Sequence, residues 1–291
     1  MNLNQLRVFD ALARTGSVTS AARGLRVSQP AVSKQLAELE SALALRLFDR
    51  LPRGVRLTEA GRVLAGYAER MFALEGAAEK ELTSLRTGRS ATLRIGASTT
   101  IGSYLVPTLF GALKKLAPEA ELSLSIGNTA QTLDLVRQQE VDLGLTEGLL
   151  ASDEFVSRPF SEDELIAITA PGDELATQPH VKLAHLVSRP ILMRERGSGT
   201  REVLEKALAE HGLNVRPALE LGSTEALKNA AANRLGVAFV SLLSVELELK
   251  TGRLARITPV DFKLTRTLHS VQLPYQSDSP IVTLFKGLLR G

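Results

Sequence analysis

Between Ser17 and Glu40 the sequence reads SVTSAARGLRVSQPAVSKQLAELE, and this stretch constrains the fold more than any other. Ala21, Ala22 and Leu25 lie on one apolar stripe at helical spacing. Val32, Leu36 and Leu39 lie on a second after a short break, so two amphipathic helices must pack on each other. Gly24 to Val27 is the expected turn. Ser28 is placed to cap the second helix, and Pro30 fits its first turn, where a missing N–H has no intrahelical partner. With Val32 and Leu36 buried, the opposite face carries Gln29, Ser33, Lys34 and Gln35, and no acid occurs before Glu38. Short hydrogen-bonding side chains on an outward helix suit base edges and phosphates in a major groove.

The plainer alternative is a helical hairpin whose polar face meets only water, and its surroundings argue against it. Leu3, Leu6, Phe9, Leu12 and Ala13 predict a preceding helix that completes a three-helix core, and RLPRGVRLT, with Arg50, Arg53 and Arg56, predicts a basic wing. Residues 1–58 hold nine Lys and Arg against four acids, a net +5. The remainder has 26 against 28, a net −2, so the overall +3 hides a positive field concentrated at the N-terminus. The candidate DNA-contacting residues are Ser28, Gln29, Pro30, Ser33, Lys34, Arg50, Arg53 and Arg56.

These residues carry a family resemblance. LNQLRVFDALARTGSVTSAARGLRVSQPAVSKQLAELESALALRLFDRLPRGVRLTEAG resembles the N-terminal domain of LysR-type transcriptional regulators, and the 291-residue length fits as well. The resemblance implies an α plus α/β architecture: a winged helix-turn-helix, a long linker helix and a C-terminal module of two α/β subdomains shaped like a periplasmic binding protein. It also implies a homodimer or homotetramer that binds promoter DNA and a small-molecule effector, with RNA polymerase as a further candidate partner.

From Thr58 to Gly88 the pattern predicts one long helix. Leu64, Met71, Ala78 and Leu85 recur every seven residues, with Leu74 and Leu82 on the same side. Gly61, Gly66 and Gly76 would each weaken it by about 1 kcal/mol relative to alanine, so packing against a second copy is the expected source of stability. Beyond Arg89 strands and helices alternate. Thr92–Ala97, Leu122–Ile126 and Val141–Leu145 read as strands of a first βαβ series, and Leu165–Thr169, Pro190–Met193, Leu219–Leu221 and Val237–Val240 as a second. The expected domains are 1–58 for DNA binding, 59–89 for the linker helix and 90–291 for effector binding. Subdomain I then takes about 90–162 and 269–291, and subdomain II about 163–268. The return of the last helix to subdomain I follows from the resemblance alone.

Ligands of open α/β sheets sit at the carboxyl ends of strands, and here those ends are rich in donors. Ser98, Thr99 and Thr100 follow one strand, Gly127 and Asn128 a second, Glu147 a third, and Ser223 and Thr224 another. RERGSGTR contributes Arg194, Gly197, Gly199, Thr200 and Arg201, where glycines admit close backbone approach and a helix N-terminus favours an anion. For each cluster alone, helix capping is the simpler account, but their joint placement at several strand ends points to one effector-binding site. Family members with a REPGSGTR-like segment include regulators of carbon fixation and sulfur assimilation, whose ligands are small anions; here Arg196 stands in place of the proline.

Several classes are excluded or set aside. With no cysteine, disulfides and thiolate metal sites fall away, and His180, His185, His211 and His269 lack paired ligand spacing, so neither a metal nor a cofactor is expected. GSGTR lacks the GxxxxGK[ST] spacing of a nucleotide-binding loop. The start MNLNQLRVFD lacks the basic and apolar regions of a secretory signal, and the longest uncharged run, Ile95–Leu113, is broken by glycine, serine, threonine and proline; a cytoplasmic protein with no membrane partner is expected. A small-molecule enzyme or a solute-binding protein using the same cleft is the alternative reading, although no catalytic nucleophile, base and orienting group stand out.

Overall fold

The N-terminal stripes form α1 (Leu3–Thr15), α2 (Val18–Leu25) and α3 (Gln29–Leu43), followed by a hairpin of β1 (Phe48–Arg50) and β2 (Val55–Leu57) and the 29-residue α4 (Glu59–Thr87). In this computed structural model, residues 1–51, 54–87, 91–148 and 153–289 are described, without the side chains of Arg50, Ala73, Ala77 and residues 80, 81 and 83–87. Arg53 and Gly88, and the side chain of Leu85, therefore lie outside the described residues. The chain divides into two units, Met1–Gly88 and Arg89–Gly291.

In the first unit Leu6, Phe9, Leu12, Ala21, Leu39, Leu47, Phe48 and Ala68 make the core, with the Phe9 and Phe48 rings 5.3 Å apart. Three sequence expectations change. Leu3 is exposed. The turn between α2 and α3 lies within the expected Gly24–Val27 stretch but is shorter, since α2 runs on to Leu25 and Arg26, whose φ of 56° is left-handed, makes the turn. Leu64 packs against the core of its own unit. Gly61 also has a specific role, since a Cβ there would stand 2.1 Å from the Leu47 carbonyl oxygen. Helix α4 can therefore approach the base of the wing only with glycine at that position.

In the second unit β3 (Thr92–Ser98), α5 (Thr99–Tyr104), α6 (Val106–Leu116), β4 (Glu121–Gly127), α7 (Thr129–Arg137) and β5 (Leu143–Glu147) come first. The long β6 (Val156–Thr169) leads to α8 (Glu174–Thr177), α9 (Leu183–Leu186), β7 (Ile191–Arg194), α10 (Gly199–Glu210), β8 (Leu219–Leu221) and α11 (Thr224–Ala232). Next are β9 (Val237–Ser241), the 3-10 turn Leu242–Ser244, α12 (Glu246–Lys250), β10 (Ala255–Ile257), β11 (Leu264–Gln272) and α13 (Pro280–Leu288). Strands β4, β3 and β5 are parallel, as are β8, β7 and β9. The antiparallel pair β6 and β11 joins the two groups into one hydrogen-bonded sheet in the order β4-β3-β5-β11-β6-β9-β7-β8, with β10 on β6.

Each parallel group has its own core. Leu93, Ile95, Leu143 and Leu145 pack with Val106 and Leu113 of α6 and with Ile281, Val282 and Phe285 of α13, so the last helix does return to the first group. Around the second, Val181, Met193, Leu204 and Phe239 cover one face, and Ile168, Leu227, Ala231 and Val240 the other. Strand β11, absent from the sequence reading, threads between the two groups. None of the helices among the described residues is long and apolar enough to cross a membrane.

Candidate functional site

Two surfaces concentrate the candidate residues. On the first unit, Ser28 caps α3 by accepting a hydrogen bond from the Ala31 N–H at 3.3 Å, and Pro30 sits in the first turn. Val32 and Leu39 are buried, which leaves Ser28, Gln29, Pro30, Ser33 and Lys34 exposed. Lys34 approaches Glu38 at 3.9 Å, a pair too exposed to hold it back from another anion. Arg56 is exposed beside Asp49 at 3.6 Å. The wing is fastened by contacts that sequence periodicity does not announce. The Glu40 carboxylate accepts from the Leu47 and Phe48 N–H groups at 2.7 and 3.3 Å, and the Val55 N–H donates to the Gly16 carbonyl at 2.9 Å. Glu40, one of the four acids among residues 1–58, is thus spent on architecture.

On the second unit the carboxyl ends of β3, β4, β5 and β7 converge where the two parallel groups meet. Arg266 of β11 lies at the centre. Its guanidinium donates to Thr200 Oγ1 at 2.8 Å and Thr100 Oγ1 at 3.3 Å, in the first turns of α10 and α5 respectively. It also pairs with Asp163 of β6 at 2.7 Å and with Glu147, at the end of β5, at 3.3 Å. Ser98 donates to the Glu147 carboxylate, and Ser241, at the end of β9, donates to Asp163 at 2.7 Å. Burial pushes the Glu147 carboxyl upward; Arg266 opposes that rise and the nearby Asp163 charge adds to it.

A second guanidinium continues the network. Arg194 is buried and bidentate on Glu195 at 2.7 and 2.8 Å, and it reaches Thr224 Oγ1 at 3.2 Å and Thr99 Oγ1 at 3.4 Å. Asn128, which caps α7, donates to Glu195 at 3.2 Å. Desolvation alone would raise Glu195, but the Arg194 hydrogen bonds and backbone bonds outweigh it and hold the carboxyl below its ordinary range. Backbone approaches close this side. The Ala130 N–H donates to the Gly197 carbonyl at 3.1 Å, and a Cβ on Gly199 would stand 1.9 Å from the Glu147 carbonyl oxygen. Gly127 is tight against Gln131. Elsewhere across the two groups, Tyr104 of α5 donates to Glu225 at 2.8 Å, and the buried Lys228 of α11 donates to the Tyr104 oxygen at 3.4 Å.

Of the residues named from sequence, Ser98, Thr99, Thr100, Asn128, Glu147, Arg194, Thr200 and Thr224 join this network, with Gly127, Gly197 and Gly199 supplying backbone clearance. Ser223 caps α11 through the Ala226 N–H. Arg201 is held by other partners: it pairs with Glu205 at 2.7 Å and Glu220 at 2.6 Å and donates to the Arg194 carbonyl at 3.0 Å. Arg266, Asp163, Ser241, Glu195, Tyr104 and Lys228 were not anticipated. For Arg266 a signal existed: in LTRTLHSVQ it shares the strand phase of Leu264 and Leu268, both buried, and an arginine on a buried phase demands a partner.

Comparison with known proteins gives a match for each of the two units. Residues 3–62 match the family described as bacterial regulatory helix-turn-helix protein, lysR family, and residues 86–291 match the LysR substrate binding domain. YeiE of Escherichia coli (strain K12), described as an uncharacterized HTH-type transcriptional regulator, is 38% identical over 268 residues, which is 92% of this chain and 90% of the relative. The RuBisCO operon transcriptional regulator of Allochromatium vinosum is 34% identical, over 98% of this chain and 94% of the relative. Among solved structures, the regulatory domain of Synechocystis PCC6803 CcmR in complex with 2-PG is 28% identical with a TM-score of 0.64, covering 69% of this chain and 96% of that one. Full-length CbnR complexed with its target DNA, 20% identical, shares the fold with a TM-score of 0.64 over 100% of this chain and 99% of that one.

Proposed function

Because the chain belongs to the LysR family of bacterial transcriptional regulators, we propose that it acts in the cytoplasm as a homo-oligomer, binding promoter DNA through α3 and the wing. A small anionic effector held in the cleft around Arg266 would set that binding. One observation carries the second half: a single guanidinium joins Thr100, in the first turn of α5, to Thr200, in the first turn of α10, so whatever occupies this point acts on both subdomains at once. Hydroxyls and helix N-termini converging on one point suit an oxyanion. Relatives named as regulators of RuBisCO operons, and the CcmR domain bound to 2-PG, favour a small acid. In this reading protein and ligand perform no chemistry; the ligand shifts the balance between two packings of the subdomains, which requires that it bind them unequally.

The test is a thermal-shift and calorimetric screen of the full chain against 2-PG, other phosphorylated metabolites, sulfur oxyanions and aromatic carboxylates, followed by DNA mobility shifts with each hit. Thr100→Val and Thr200→Val should each lower affinity for the hit about tenfold, the loss of roughly 1.4 kcal/mol expected for one good hydrogen bond to an anion. Unchanged affinity in both variants would move the site elsewhere.

A further inference from the structure

We infer that the cleft binds its oxyanion together with one proton held at Glu147, which makes Glu147 the residue that reads the charge and protonation of the effector. This rests on the reading of the cleft as the effector site, and the charge count there motivates it. Arg194 and Arg266 face three carboxylates, those of Glu147, Asp163 and Glu195, so the fully ionised cluster has one negative charge in excess. The side chains of Arg266, Asp163 and Glu147 are 1%, 1% and 3% exposed, too little for solvent to screen that excess. An anion entering such a cluster would meet net repulsion. Neutralising one carboxylate removes the conflict.

Geometry selects which one. Asp163 holds Arg266 at 2.7 and 2.8 Å and accepts from Ser241, and Glu195 holds Arg194 in a bidentate grip. Glu147 has the longer 3.3 Å approach to Arg266, the Ser98 hydroxyl and its own backbone N–H, and no guanidinium grips it with two hydrogen bonds. Among the described residues the further positive charge that reaches Glu147 is Arg194, whose attraction is weaker than that of Arg266 and than the repulsion by Asp163. Asp163 on β6 repels it, Arg194 on β7 is already paired, Thr129 on α7 donates to its carbonyl rather than its carboxylate, and Glu202 on α10 brings a carboxylate oxygen within 3.7 Å of where a Cβ on neighbouring Gly148 would be. Burial raises Glu147 in agreement with this placement. As a neutral acid it gains an O–H that can donate to an oxyanion, whereas as a carboxylate it can only accept. A fully ionised oxyanion must therefore find Glu147 protonated, while a hydrogen-bearing one can bring the proton itself.

Sulfate is the suitable probe, because it stays doubly charged throughout the working range. We would titrate it into the full chain by calorimetry at about pH 6 and about pH 8, in buffers of unlike ionisation heat, for wild type and Glu147→Gln. Wild type should bind about tenfold or more tightly at the lower pH and take up a proton, approaching one per sulfate, at the higher pH. Glu147→Gln should bind with equal affinity at both and take up none. In parallel, carbon-13 carboxyl spectra of glutamate-labelled full chain, with Glu147 identified by its loss in the variant, should show it titrating well above the ordinary value of about 4.3. Equal pH dependence in the two proteins, no proton uptake by wild type, or an ordinary titration of Glu147 would each overturn the inference. A different result, no sulfate heat in either protein at either pH, would instead overturn the anion reading of the cleft itself.

Discussion

At the scale of single residues, an arginine that the sequence singles out, Arg201, and one that it does not, Arg266, differ in what surrounds them. Arg201 follows GSGT at a helix start and looks like a ligand clamp, yet Glu205, Glu220 and the Arg194 carbonyl satisfy it. Since both carboxylate partners are about half exposed, Arg201→Ala should cost roughly 1–2 kcal/mol in thermal melts. Effector affinity should change little, and a tenfold loss without destabilisation would return Arg201 to the ligand site. Arg266 is the opposite case. Arg266→Met should destabilise by about 3–5 kcal/mol near neutral pH, because Asp163 and Glu147 would be left buried without a counter-charge. Glu147 is raised in the folded protein, so the stability it contributes is present below its unfolded value and is lost as pH rises through the folded one. The gap between the melting temperatures of wild type and Arg266→Met should therefore widen with rising pH; a gap that narrows would contradict the charge assignment.

At the scale of elements, α4 shows why equal residues in one helix are not equivalent. Gly61 sits against the Leu47 carbonyl, while Gly66 and Gly76 meet nothing within 4 Å of where a Cβ would be. Gly61→Ala should cost a few kcal/mol in chemical denaturation of the first unit, whereas Gly66→Ala should stabilise by up to about 1 kcal/mol through helix propensity alone. Similar effects of the two changes would argue against the close seat of α4. For α3, the exposed side chains predict a division of labour on DNA. Lys34→Ala should weaken promoter and random duplexes alike and lower the salt slope by about one unit, and Gln29→Ala should mainly relax sequence preference. Anisotropy titrations at several salt concentrations separate the two, and wild-type behaviour in both variants would remove α3 from the groove.

At the scale of the whole molecule, α4 carries an apolar stripe that its own unit leaves uncovered. Val63, Tyr67, Met71, Leu74 and Leu82 are between 42 and 65% exposed and recur at helical spacing. A run of that kind on a long helix is the expected seat of a second copy. Leu64, though in heptad phase with Met71, belongs to the intramolecular core, so a charge there would test folding rather than association. The double change Met71→Asp and Leu74→Asp leaves that core alone and should cost several kcal/mol in the assembled state, enough to dissociate it at micromolar concentration in sedimentation. An unchanged sedimentation coefficient would place the oligomer contact on another surface.

Features decided within four residues were legible in the chain itself. The caps by Ser28, Asn128 and Ser223, the two stripes of α2 and α3, the basic bias of residues 1–58 and the donors at strand ends all follow from local spacing and charge. They hold in the fold because helix hydrogen bonds and amphipathic faces act over one turn. What tertiary structure decided is the set of partners. Arg266 meets Thr100 across 166 positions and Asp163 across 103, and Arg201 takes Glu220 across 19 as well as Glu205 one turn on. Likewise, one sheet runs through β6 and β11 where alternation showed only two parallel series. A buried charge is placed by the desolvation it must offset, and that depends on which strand faces meet, a choice no period of 2 or 3.6 encodes.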